Sequence, residues 1–135
     1  MDNLNILMRE FLKKRGIVVE DKTGEPFALY FSVNNLHFIF ETNDPDPFFF
    51  RISLPQINRS TQIVEQLSKA IQQLNMSYKG AKIVDGGNKN LWIVADQFVY
   101  STDQIDFLFD RIIQAMTDMI REYYKLEQDE TTGHK

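Results

Sequence analysis

The chain contains no cysteine. That excludes disulfides, thiolate nucleophiles, zinc fingers and iron–sulfur clusters. Histidine is scarce too, with only His37 and His134. There is no cationic excess: 15 Lys and Arg against 19 Asp and Glu leave a net charge of −4. Nucleic acid demands a concentrated positive footprint, and anionic membrane surfaces attract basic segments, so neither is an expected partner. No apolar run approaches the length of a membrane span. The N-terminal MDNLNILMREFLKKRG carries early charges and no apolar h-region, so it does not read as a signal peptide. There is no internal repeat and no low-complexity tract. A soluble, cytoplasmic protein is expected.

What the chain has instead is aromatic residues. They make up 13% of its 135 residues, including eleven Phe, enough to build a β-rich core in one domain. The segment from Phe27 to Leu54 reads FALYFSV, NN, LHFIFET, NDPDP, FFFRISL. It predicts three short strands joined by turns. Side chains alternate across a strand, so Phe27, Leu29, Phe31, Val33, Leu36, Phe38, Phe40, Phe48, Phe50, Ile52 and Leu54 share a core face. The opposite face, with Ala28, Tyr30, Ser32, His37, Ile39, Glu41, Phe49, Arg51 and Ser53, is neither clean core nor clean solvent.

Around this segment the periodicity changes. Leu4, Leu7, Met8, Phe11 and Leu12 recur at helical spacing and predict a helix from about Asp2 to Arg15, with basic residues at its end and Gly16 as C-cap. Ile17 to Glu20 reads as a further strand, followed by a turn over 21–26. Asn34-Asn35 suits a two-residue hairpin. After Pro55, Asn58 or Ser60 is placed to cap a helix running to about Asn75, with a stripe from Ile63 to Leu74. Tyr78–Val84 and Leu91–Tyr100 predict a second hairpin across the turn-rich 85–90. Ser101 with Gln104 fits a capping box before a long helix to about Glu127. The expected fold is a two-layer α+β domain over residues 1–127. Its twisted antiparallel sheet carries three helices, in the order α-β-β-β-β-α-β-β-α, and a flexible polar tail covers 128–135.

No catalytic constellation accompanies this pattern. His37 is a lone strand histidine with no nucleophile or second histidine near it in sequence. Asp44 and Asp46 lack the glycine and distal glutamate of a calcium loop, and turn formation explains them better. Gly86-Gly87 joins two strands, whereas a phosphate cradle needs a helix behind it. Asp103, Asp106 and Asp110 open a helix, where acidic residues are favoured. Lys13, Lys14 and Arg15 read as a helix end. No catalytic residue, metal ligand or cofactor is assigned.

The order of elements, the FFFRISLP segment (Phe48–Pro55) before the central helix and the LWIVADQFVY strand (Leu91–Tyr100) running into the last helix resemble the YbjN-like family of small bacterial proteins. That family is similar in fold to the type III secretion chaperones, and the resemblance spans about Leu4 to Tyr124. It implies a twisted antiparallel sheet with helices packed on one side, and often a homodimer. Chaperones of this shape bind extended segments of an effector on apolar patches. YbjN-like members have been tied to sensory or regulatory roles without a defined activity, and they supply no catalytic motif to carry over. The function expected is therefore a non-enzymatic, homodimeric protein-binding module. Its contacts to a polypeptide partner are placed on the mixed sheet face at Tyr30, His37, Ile39, Phe49 and Arg51, with Trp92 or Tyr100. The alternative is a small-molecule-binding domain or minor enzyme with a pocket between sheet and helices.

Overall fold

The computed structural model describes residues 3–43 and 46–131. Their elements run α1 (Leu4–Lys14), β1 (Val19–Glu20), β2 (Ala28–Val33), β3 (Leu36–Asn43), β4 (Asp46–Leu54), α2 (Ile63–Gln66), α3 (Ser68–Ser77), β5 (Lys82–Asp85), β6 (Leu91–Phe98) and α4 (Gln104–Thr131). The strands form one antiparallel sheet in the order β1-β2-β3-β4-β6-β5. The expected two-layer α+β architecture is the one observed.

Local chemistry sets the joints. Asn34 and Asn35 both take positive φ, 52° and 65°, which makes the two-residue β2–β3 turn that matches strand twist. Gly16 (φ 75°) ends α1, its N–H reaching the Lys13 carbonyl while the Ile17 N–H reaches Leu12. Those two bonds satisfy carbonyls the helix would leave open. At the start of α4, the Ser101 hydroxyl accepts from the Asp103 N–H and the Gln104 side chain accepts from the Ser101 N–H, a reciprocal cap.

The core lies on one face of the sheet. Leu29, Phe31, Phe38, Phe40, Phe50, Ile52 and Leu54 point there with Ile83, Ile93 and Ala95, and the buried faces of the helices close over them. Register pairs Phe31 with Phe38, Phe40 with Ile52, and Ile52 with Ala95. Phe109 of α4 meets both Phe11 of α1 (ring centroids 5.0 Å apart) and Phe31 of β2 (5.8 Å), tying three elements together. Burying each such side chain contributes roughly 1.5–3 kcal/mol.

Several local expectations are corrected. The central helix is two segments rather than one, so the described residues hold four helices where three were expected. Leu67 leaves helical geometry (φ −98°, ψ 3°) between them. Ile63, Leu67 and Ile71 sit four residues apart, and a continuous helix would rotate each about 40° from the last. The break falls on the middle one, and all three are buried. Neither Asn58 nor Ser60 caps this helix. The Asn58 side chain instead bonds the Leu91 N–H (2.7 Å) and the Lys89 carbonyl (3.1 Å), pinning the loop to the β5–β6 hairpin. Residues 78–81 are not strand, because α3 runs to Ser77 and Tyr78 caps it. Likewise Ile17 and Val18 precede β1 rather than belong to it. Phe27 and Phe48 lie at strand ends and are exposed rather than core. The last helix continues through Thr131, so 128–131 are helical, while 132–135, with His134, lie outside the described residues, as does Asp44. Among the described residues no helix is long and apolar enough to cross a membrane.

The extra helical turn follows a buried carboxylate. Glu127 is only 2% exposed. Its Oε2 accepts from the Tyr123 hydroxyl (2.7 Å) and from the Arg59 backbone N–H (2.9 Å), latching the end of α4 to the loop before α2. Burial, and then the bond to Glu127, push the Tyr123 phenol well above its ordinary range. Glu127→Ala leaves both donors without a partner and is expected to destabilise the fold by about 2 kcal/mol or more in urea unfolding, with Glu127→Gln costing less.

Candidate functional site

All four helices pack against one face of the sheet, which leaves the other face open among the described residues. Register determines what that outer face carries. Tyr30 lies beside Ile39, Ile39 beside Ser53, and Ser53 beside Val94. The next row holds Ala28, Glu41, Arg51 and Asp96. Beyond it Phe49 faces Phe98, while Ser32 pairs with His37 and Trp92 with Val84 toward the opposite end.

The six residues expected to bind a partner, Tyr30, His37, Ile39, Phe49, Arg51 and Trp92, thus share this one face. Their environments differ. Ile39 is 8% exposed and Ser53 1%, although the helices pack on the other face. Among the described residues the Ser53 hydroxyl finds no hydrogen-bond partner there. Tyr30 is half-buried, and its hydroxyl donates to Glu25 (2.5 Å) while the Lys22 ammonium sits 4.2 Å above its ring. The bond to Glu25, then burial and the charges of Glu25 and Glu41, push the phenol from 10.0 up to about 12. His37 is exposed, with its Nδ1 2.7 Å from the Ser32 hydroxyl.

Arg51 forms a two-bond pair with Asp96, Nε to Oδ1 at 2.5 Å and Nη2 to Oδ2 at 2.9 Å. Those bonds raise the guanidinium further above its ordinary value, with burial opposing. Phe49 packs on Phe98 with ring centroids 5.6 Å apart, and at the same end Phe48 approaches Tyr100 at 6.2 Å. Tyr100 itself lies beyond β6 and is exposed. Trp92 is half-buried beneath the β5–β6 turn. A Cβ on Gly86 would fall 2.4 Å from its indole, so only glycine lets the turn lie on the ring.

Asp96, Phe98 and Val94 were not singled out from sequence. The signal was present, since alternation from Trp92 through LWIVADQF puts them on the same side. The partners of Asp96 and Phe98 depend on β4 pairing with β6, which strand alternation does not give.

A cleft of about 720 Å³ opens on this face where β1, β2 and β3 meet Pro55, with Val18, Tyr30, Ser32, His37 and Ile39 in its lining. Its polar groups can hydrogen-bond a ligand. For nucleophilic chemistry the Ser32–His37 contact lacks a third member, because among the described residues no carboxylate hydrogen-bonds the ring. Nor do the described residues bring three or more His, Asp or Glu side chains together as metal ligands.

No family model matches the sequence, and no curated protein does. Solved structures do. YbjN from E. coli, described as a candidate transcription regulator, superposes with a TM-score of 0.72 at 15% identity, covering 93% of this chain and 94% of that one. The fold is YbjN-like. An uncharacterised protein from Methanothermobacter thermautotrophicus also matches, with a TM-score of 0.60 at 10% identity over 88% of this chain and 97% of its own. At such identities the likeness is one of fold. The site must be argued from this chain's own residues, because a shared fold does not fix a function.

Trp92 is the only tryptophan, so it reports on this YbjN-like sheet face directly. Gly86→Ala is expected to push the indole out from under the turn. A red-shifted emission maximum with an unchanged far-UV spectrum would show it, and an unchanged maximum would mean the ring does not depend on Gly86.

Proposed function

We propose that this chain is a non-enzymatic protein-binding module, a chaperone-like or regulatory adaptor acting as a homodimer in the cytoplasm. It binds polypeptide rather than nucleic acid or membrane. The observation that carries this reading is the open sheet face. Tyr30, Phe49, Trp92 and Phe98 stand on it around a buried Ile39, with the Arg51–Asp96 pair among them. Aromatic and arginine side chains around a desolvated apolar centre are the composition that interface hot spots favour. A net charge of −4 argues against nucleic acid. The description of YbjN as a candidate regulator agrees with the adaptor role.

One observation favours a second reading. The cleft of about 720 Å³ beside His37 is the size of a small-molecule site. It lies on the outer face rather than between sheet and helices, so a ligand there would compete with a polypeptide for Tyr30 and Ile39.

Size-exclusion chromatography with light scattering, paired with capture of polypeptides by the immobilised chain, tests the first reading. The expected result is a dimer that retains one or a few defined polypeptides. Phe49→Asp combined with Tyr30→Asp should abolish retention while preserving the circular dichroism spectrum. If that variant still dimerises and still captures its partner, the face is wrongly assigned. A monomer that captures nothing but gains thermal stability from a metabolite would favour the cleft.

A further inference from the structure

The two edges of the sheet are treated differently. On β5, the Asn75 side chain of α3 accepts from the Ile83 N–H (2.8 Å) and donates to the Ile83 carbonyl (2.9 Å). A single amide thus takes the place of a neighbouring strand. The Lys82 ammonium adds bonds to the carbonyls of Asn75 and Tyr78. That edge is closed to any further strand.

The β1 edge has no such cover. Among the described residues no hydrogen bond beyond the β1–β2 pairing engages the backbone of residues 18–20. Val18 is 78% exposed, unusual for a β-branched side chain beside a sheet edge. A groove runs along each side of this segment. One, of about 350 Å³, lies against α1 and is lined by Arg9, Lys13, Ile17, Val18 and Val19. The other is the cleft of about 720 Å³ on the outer face, with Val18, Lys22, Tyr30 and His37 in its lining. Side chains of an added strand alternate between two sides, and here each side has a groove to receive them.

Charge narrows what that strand can be. Arg9 is committed to Asp21 and Arg15 to Asp110. Lys13 and Lys14 are exposed at the end of α1 and form no ion pair among the described residues. Lys13 lines the α1 groove, so that side of the edge offers an unpaired positive charge next to apolar Ile17 and Val18, while Lys14 lies toward the start of α4 beside Thr102 and Asp106. We propose that the free edge of β1 accepts an extended segment of another protein as an added strand, with an acidic side chain of that segment directed at Lys13. This deepens the protein-binding reading above and rests on it.

The probe is a fluorescent synthetic peptide of strand length, Glu alternating with Val, followed by anisotropy against the full-length chain. Controls are the same peptide with Lys for Glu, and the Glu peptide N-methylated on alternate amides. The Glu peptide should bind and both controls should lose binding by about tenfold or more. Lys13→Glu, and separately Val18→Asp, should weaken it comparably. These side chains are exposed, so folding is expected to survive and is checked by thermal melting. Equal binding of the N-methylated peptide, or binding unmoved by these variants, overturns the proposal. So does a dimer that dissociates on Val18→Asp, since the edge would then be occupied by a second copy. Phe49→Asp separates this proposal from the broader one. Loss of captured polypeptides with Phe49→Asp but not with Val18→Asp keeps the outer face and sinks the β1 edge, whereas no capture and no peptide binding sinks both.

Discussion

The structure depends on one-sided burial of a single sheet. Every strand places its alternate residues under the helices, and a slip of one residue would turn Phe31, Phe40 and Ile52 out to solvent. Asn34 and Asn35 guard against that slip, because their two positive φ angles fix the β2–β3 turn and so the pairing of Phe31 with Phe38. The Phe109 ring then fixes where α4 and α1 sit on the same face. Once the helices are committed to that side, the other face has no cover among the described residues. Its openness is a consequence of the packing, not a separate feature.

Much of this was legible in the sequence, and the parts that were not share a cause. Alternation correctly assigned Leu29, Phe31, Phe38, Phe40, Phe50, Ile52 and Leu54 to the core because it is a local property. It failed at Phe27 and Phe48, which keep the phase but lie at the ends of their strands and are exposed. Capping chemistry was read well at Ser101, whose partner is three residues on, and poorly at Asn58, whose partner is the Leu91 N–H. Glu127 marked only the expected end of the last helix, and its burial follows from tertiary contact with the loop that holds the Arg59 N–H. The candidate face follows the same rule. Tyr30, His37, Ile39, Phe49 and Arg51 were placed together by alternation, but their cross-strand neighbours Asp96 and Phe98 required knowing that β4 lies beside β6.

The two sheet edges make a related point about what local composition conceals. Lys82 in β5 is the kind of residue that protects an edge, yet the stronger protection comes from Asn75, outside the sheet altogether. β1 is short, which itself limits recruitment of a neighbour. Among the described residues it is not, however, covered, and Val18 beside it is exposed. An edge both short and uncovered needs side-chain contacts to hold an added strand, and the grooves on either side of Val18 are where such contacts can form.

The Arg51–Asp96 pair decides what the outer face can tolerate. As an exposed ion pair it contributes little to stability, on the order of 0–1 kcal/mol. Its importance lies in what a covering partner would do to it. A lone guanidinium on an aromatic face would have to be desolvated unpaired, which costs several kcal/mol. Here both bonds of the fork are already made within the chain, and Asp96 comes from the strand next to β4. A covering partner would therefore strand neither Arg51 nor Asp96, with Phe49 and Phe98 on one side of the pair and Ile39 and Tyr30 on the other, and the carboxylate it would still have to meet is Glu41, beside Arg51. Removing Arg51 leaves Asp96 and Glu41 as uncompensated carboxylates on that face, whereas removing Asp96 leaves Arg51 with Glu41 beside it. The Arg51 substitution that barely affects the free chain would then weigh heavily on any complex formed through this face.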